Sequence, residues 1–218
     1  MLSQQAGSTA GKSIIVTPLV KKKLTKYSTL REVPDHQEIY LSPTTLSNFI
    51  LEVNQAVSNE DALVSVSGNG NTSNGTGTET ETIDKAAATY HLHDLCDEGD
   101  TIQTIVAPHR ITLAKFAPET LVRAYRGIVS FTTPKKQRSR PEDGTNGGPG
   151  EPSRLTCHYL MVRMERQETD VLLFLNVPHD EFDARGDTAG LQGEEELARG
   201  LIERTIETLE VRDWGLFV

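Results

Sequence analysis

Val171-Leu172-Leu173-Phe174-Leu175-Asn176-Val177 decides the fold. From Val171 to Leu175 every side chain is apolar, so both faces of an extended chain need covering. Such a strand belongs in the middle of a sheet, with helices on either side. Just upstream, Leu155 to Met164 is a second run of strand-forming residues, and a polar link, Glu165 to Asp170, joins the two. Two such runs across a short polar link form a hairpin, which makes the sheet antiparallel at its centre.

Outward from the hairpin, helical spacing returns towards the C-terminus. Leu197, Leu201, Ile202, Ile206 and Leu209 fall on one stripe of a helix over 194–210. Glu195, Arg199, Glu203 and Glu207 fall on its wet side, with Glu195 and Arg199 spaced for an i,i+4 pair. Trp214, Leu216 and Phe217 are too apolar for a free tail and should dock on the core. Before the hairpin, Ile102 to Val106 and Gly127 to Phe131 read as strands. A helix is expected over 84–96, capped by Asp84 and running through Ala86-Ala87-Ala88 to Leu95. Leu46, Phe49, Ile50, Val53 and Val57 carry the spacing of another amphipathic helix. Ser42-Pro43-Thr44 breaks the chain before it, and Glu38 to Leu41 reads as a strand after a Pro34-Asp35 turn. Hairpin-linked strands with helices on both faces give an α/β/α sandwich with a central, mostly antiparallel sheet.

The hydrophobic share of 36% is low for a globular chain, and two polar stretches account for the deficit. Residues 65–82 are Ser, Gly, Asn and Thr with glutamates and read as a flexible insertion. Residues 134–154 read as a second. This one opens with Lys135, Lys136, Arg138 and Arg140, a solvated loop or a nuclear-localisation patch. Residues 1–26 form a basic segment ahead of a single domain over 27–218. They suit a disordered tail, an aberrant first strand built on Ile14-Ile15-Val16, or a transit peptide.

Charge narrows the partners. The net charge is −9, yet residues 1–31 hold no acid, so all 31 acidic residues lie beyond them. Such a body repels nucleic acid and attracts basic protein surfaces; the plainer reading of the same acidity is solubility. No apolar run approaches the ~20 residues of a membrane span, and no secretory apolar segment is visible. The two cysteines, Cys96 and Cys157, are far apart and read as buried thiols in a reducing compartment.

Catalytic patterns are sparse. His91, His93, Asp94, Cys96, Asp97 and Glu98 form the densest group of metal-binding residue types. On a helix, however, His91 and His93 point about 200° apart and cannot share an ion, so both are expected near the surface. No Gly-x-Ser-x-Gly elbow is present, and Ala10-Gly11-Lys12-Ser13 lacks the first glycine of a phosphate loop. Asp35 and Glu38 have no nucleophile or oxyanion hole beside them.

One segment remains: Ser28-Thr29-Leu30-Arg31-Glu32-Val33-Pro34-Asp35-His36-Gln37-Glu38-Ile39-Tyr40. Pro34 restricts Val33 to extended geometry, and Asp35 can cap the turn with its own side chain. Arg31, Asp35, Gln37 and Glu38 then meet at the start of a strand. The segment resembles the signature of the Mog-one family of Ran-binding nuclear-import factors, Leu-Arg-x-Val-Pro-Asp-x-Gln-Glu-(Val/Ile)-aromatic. The resemblance continues in order. Phe49-Ile50-Leu51-Glu52 resembles the family's first helix, and Tyr90 to Leu95 its aromatic-His-x-x-Asp-Leu segment. Leu173 to Pro178 resembles its strand ending in Asn-x-Pro, and Asp213 to Phe217 its Leu-Phe terminus. The family's usual Gly-Gly-Ala start is replaced here by Lys21-Lys22-Lys23-Leu24-Thr25-Lys26.

The resemblance implies a PsbP-like fold over residues 28–218. It also implies a regulator, not an enzyme, that binds the GTPase Ran and promotes release of its guanine nucleotide in nuclear protein import. The expected Ran-facing residues are Arg31, Asp35, Gln37, Glu38, Glu52 and Asp94. No cofactor, metal, nucleic acid or membrane is implied. The expected state is a monomer in nucleus and cytoplasm, with other Ran cofactors as further partners. Two other classes compete: a PsbP-like organellar accessory domain without a GTPase partner, and a metal-dependent enzyme using His91 and His93.

Overall fold

The quoted run forms β8 (Thr169–Pro178), the central strand of a seven-stranded sheet. The computed structural model describes residues 14–15, 24–26, 36–67, 78–134 and 151–214. In chain order the elements are β1 (Ile14–Ile15), β2 (Thr25–Lys26), β3 (Gln37–Leu41), β4 (Asn48–Gln55), α1 (Asn59–Ser67) and α2 (Glu79–Asp94). Then follow β5 (Thr101–Ile111), β6 (Val122–Thr133), β7 (Ser153–Met164), β8, α3 (Asp180–Asp183), α4 (Thr188–Thr208) and β9 (Glu210–Val211). The sheet order is β2-β3-β4-β8-β7-β6-β5, and every pairing is antiparallel.

Alternation along β8 sends its side chains into two separate cores. Val171, Leu173, Leu175 and Val177 join Tyr40, Phe49, Leu51, Leu160 and Val162 beneath Ala198, Leu201 and Ile202 of α4. Leu172 and Phe174 face the other way, with Tyr125, Tyr159 and Met161 beneath Ala86, Ala87 and Ala88 of α2. The three alanines carry little bulk, which lets α2 sit close to the sheet. Ala62 of α1 completes that layer. The α/β/α sandwich is therefore the observed architecture. Cys157 lies in the second core, where burial pushes its thiol pKa up; Cys96 is only half-buried.

Several local expectations change. The helix expected from Leu46 to Val57 is β4, with Phe49 and Leu51 in one core and Ile50 against the other. A strand apolar on both faces fills helix-spaced positions as well as alternating ones, and sheet pairing on both sides decides between them. Leu46, part of the supposed stripe, is 64% exposed in the β3–β4 loop. The first insertion is shorter than read, because α1 and the start of α2 occupy both its ends; residues 68–77 lie outside the described set. α2 begins at a Thr78 cap, whose hydroxyl accepts from Glu81 N at 3.3 Å. Asp84 is thus no cap but a fully buried residue of α2. α4 starts earlier than expected, where Asp187 accepts from Gly190 N at 2.8 Å.

Two contacts shape the ends of the sandwich. Gly127 faces Tyr159 across β6 and β7, and a Cβ there would stand 2.4 Å from the Tyr159 hydroxyl and 2.7 Å from the Val106 carbonyl. Glycine thus lets the irregular edge strand β5, with its register shifts around Val106, close over β6. Trp214 docks against Phe116 edge to face at 6.2 Å; Leu216 and Phe217 lie outside the described residues. Ile14–Ile15 pairs with Glu210–Val211 as a separate two-strand ribbon, not as an edge of the main sheet.

Candidate functional site

Register builds a polar row at one end of the sheet, on the face covered by α1 and α2. Asn54 lies opposite Asp170, Asp170 opposite Arg163, and Arg163 opposite Arg123, across β4, β8, β7 and β6. Opposed residues share a face, so these side chains form one line beneath α2. Two positions along the same face of β4 and β3 stand Glu52 and Gln37, again opposed. Gln37 Nε2 donates to Glu52 Oε1, and Asn54 Nδ2 donates to Glu52 Oε2 at 3.4 Å. Glu52 is only 9% exposed. Among the described residues, no basic side chain is paired with it.

α2 closes the row from above with charge. Asp84 receives Arg123 Nε at 2.5 Å, Arg163 Nη1 at 3.4 Å and the Tyr125 hydroxyl at 3.0 Å. Asp170, fully buried, receives Arg163 Nε and Nη2, both at 2.8 Å, and sits 3.0 Å from His91 Nε2. Burial alone would raise the Asp170 pKa. The hydrogen bonds from Arg163 and His91 outweigh it and hold the carboxyl below its usual range. Arg123 also pairs with Glu165 at the surface. A cleft of about 310 Å³ opens here, with Asp84, Arg123 and Arg163 on its walls beside Gln55, Asn59 and Glu168. Glu168 reaches its place through a left-handed backbone, φ 47°, at the hairpin turn.

A second polar knot lies on the α4 face. His158 Nε2 is 2.6 Å from Glu195 Oε2, His179 Nε2 is 3.5 Å from Glu195 Oε1, and Thr156 Oγ1 is 2.7 Å from His179 Nε2. Glu195 therefore turns inward to the sheet instead of pairing with Arg199 along the helix. Burial raises its pKa, but the bonds from His158 and Thr156 prevail and the net shift is downward. A carboxylate whose folded pKa is depressed stabilises the fold above its unfolded pKa, and that stability is lost as pH falls through the folded value. The thermal midpoint should therefore hold to about pH 4 and then drop. Glu195→Gln and Asp170→Asn should each flatten that acid limb in a melting series. An unchanged limb in both would show that neither carboxylate drives acid unfolding.

The sequence-derived site residues divide. Gln37 and Glu52 come together. Glu38 points to the opposite face, where its carboxylate accepts from the Tyr40 hydroxyl at 2.6 Å, and Tyr40 packs in the α4-side core. Asp94 lies exposed in the last turn of α2. Arg31 and Asp35 lie outside the described residues. His91 is buried against Asp170, contrary to the expected surface position, while His93 is half-buried further along the helix. No group of three or more His, Cys, Asp or Glu side chains among the described residues is placed to hold one metal ion. Sequence reading missed Asp84, Arg123, Arg163 and Asp170. The only signal available was charge inside otherwise apolar runs, and it becomes a site only through register.

No curated protein matches the chain by sequence. Solved structures match its fold. A single-site mutant of protein Mog1 aligns over 100% of both chains at 15% identity, with a TM-score of 0.51. The Saccharomyces cerevisiae Ran-binding protein Mog1p aligns over 94% of this chain and 92% of its own, at 16% identity and a TM-score of 0.50. A family model described as Ran-interacting Mog1 protein matches residues 13–178, a span that takes in the motif around Pro34, the Gln37–Glu52 pair and the whole polar row. The chain therefore belongs to the Mog1 family of Ran-interacting proteins.

Proposed function

We propose that this chain binds Ran and loosens its hold on guanine nucleotide, in support of nuclear protein import. Family membership supports the partner, and Glu52 carries the local chemistry. It is a nearly buried carboxylate whose described donors are two neutral amides. Among the described residues no cation is paired with it, which leaves the carboxylate suited to a cationic group of a partner. A GTPase grips its nucleotide with a phosphate-binding lysine and Mg²⁺, so an acidic surface can compete for the same cationic groups. If it binds the nucleotide-free GTPase more tightly than the loaded form, linkage weakens nucleotide affinity by the same factor. Gln37 fixes the Glu52 carboxylate. The resemblance adds Arg31, Asp35, Glu38 and Asp94 to the proposed contact, with Glu38 meeting Ran from the opposite face of β3. The chain acts here as a monomeric regulator, shared between nucleus and cytoplasm.

The deciding experiment mixes the purified chain with Ran carrying a fluorescent nucleotide and follows its release. Wild type should accelerate release, whereas Glu52→Lys should weaken the complex by more than about a hundredfold. Circular dichroism of the variant should stay that of wild type. Failure of the wild type both to speed release and to form a complex in any loading state would reject the function.

A further inference from the structure

Burial of the Asp84–Arg163–Asp170 charges is poorly explained by stability alone, because removing such charges from water costs about as much as their attraction returns. What the group does secure is geometry. Asp170 Oδ2 accepts from Val57 N at 3.2 Å, and Arg163 Nη2 donates to Val57 O at 3.1 Å. Both backbone groups of Val57 are therefore held by the buried row. One residue earlier, Ala56 N donates to Glu168 O at 2.7 Å. The connection from β4 to α1, which carries Gln55 and Asn59 to the cleft rim, is thus clamped from beneath. Glu52 stands on β4, the strand that enters this turn. Asn54 lies opposite Asp170 in register, and its amide donates to Glu52 Oε2.

We propose that Arg163 and Asp170 are positioning residues for partner binding: they fix the turn that leaves β4, the strand bearing Glu52, while touching no partner themselves. Both are buried, at 5% and 0% exposure, so any effect on a partner passes through the residues they hold. This rests on the proposed role of Glu52 in binding Ran, and it adds residues that no surface inspection would select.

Arg163→Lys is the sharpest probe. It keeps the positive charge between Asp84 and Asp170 but removes the forked geometry that reaches Val57 O. Three readouts apply to the full-length chain: thermal midpoint, amide hydrogen exchange, and Ran affinity by calorimetry. The amides of Ala56 and Val57 should exchange faster than in wild type, with α4 protection unchanged. Ran affinity should fall about tenfold, and the same substitution made in Glu52→Gln should change affinity less than about twofold. That non-additivity separates positioning from general loosening, which would act equally in both backgrounds. Asp170→Asn supplies a second arm of similar volume should the lysine variant unfold. Wild-type binding with an unchanged affinity in a folded variant overturns the proposal, as does full additivity with Glu52→Gln. No binding by wild type rejects the Ran reading itself, and this proposal with it.

Discussion

Asp84→Ala is expected to destabilise the protein by about 3–5 kcal/mol, the usual result of removing one partner from a buried ionic group. Asp84 is fully buried and serves Arg123, Arg163 and the Tyr125 hydroxyl together. Truncation leaves two guanidinium groups short of a counter-charge. It also strands the hydroxyl of Tyr125, itself 0% exposed. Asp170 still neutralises Arg163, and Arg123 keeps only the exposed Glu165, so the loss falls chiefly on Arg123 and Tyr125. Asp84→Asn keeps an acceptor for the tyrosine and should lose less than alanine does. Urea denaturation of the three proteins measures the order directly. A loss under about 1 kcal/mol for alanine would mean that water reaches the group and that the charges are not desolvated.

Leu173→Ala and Phe174→Ala form the second large effect. The residues are neighbours in sequence, yet they empty different cores. Leu173, fully buried, packs towards α4, and Phe174, 2% exposed, packs towards α2. Truncating a buried leucine costs about 2–5 kcal/mol and a buried phenylalanine about 3–5, the transfer term plus the cavity left behind. Both variants should unfold at clearly lower denaturant than wild type. A one-sided sheet would spare one of them, and that outcome would remove one helical layer from the sandwich.

The β7–β8 hairpin and α4 were legible because single-period patterns govern them. Val171 to Leu175 has no polar position at all, and Leu201, Ile202 and Leu209 sit where helical spacing puts them. β4 was not legible, since Phe49, Ile50 and Val53 satisfy both periods and only its pairing with β3 and β8 selects strand. Asp84 read as a cap because a carboxylate before an alanine run usually is one; its two arginine partners come from strands about 40 and 80 residues downstream in the sequence, which local reading cannot reach. The candidate site shows the same limit. Resemblance alone points to Glu52, on a segment whose spacing predicts a helix where the sheet makes a strand, and Gln37 and Glu38, adjacent in the motif, face opposite ways because a strand sends consecutive side chains apart. Nothing local to Arg123, Arg163 or Asp170 announces that three strands align them.

The small ribbon of Ile14–Ile15 with Glu210–Val211 has a practical use. Paired strands run about 4.8 Å apart, so dyes attached beside positions 14 and 211 would start within close energy-transfer range. Their separation would report the opening of that clasp alone, and comparison with tryptophan emission from Trp214 would tell whether the two ends of the chain part before the sandwich does.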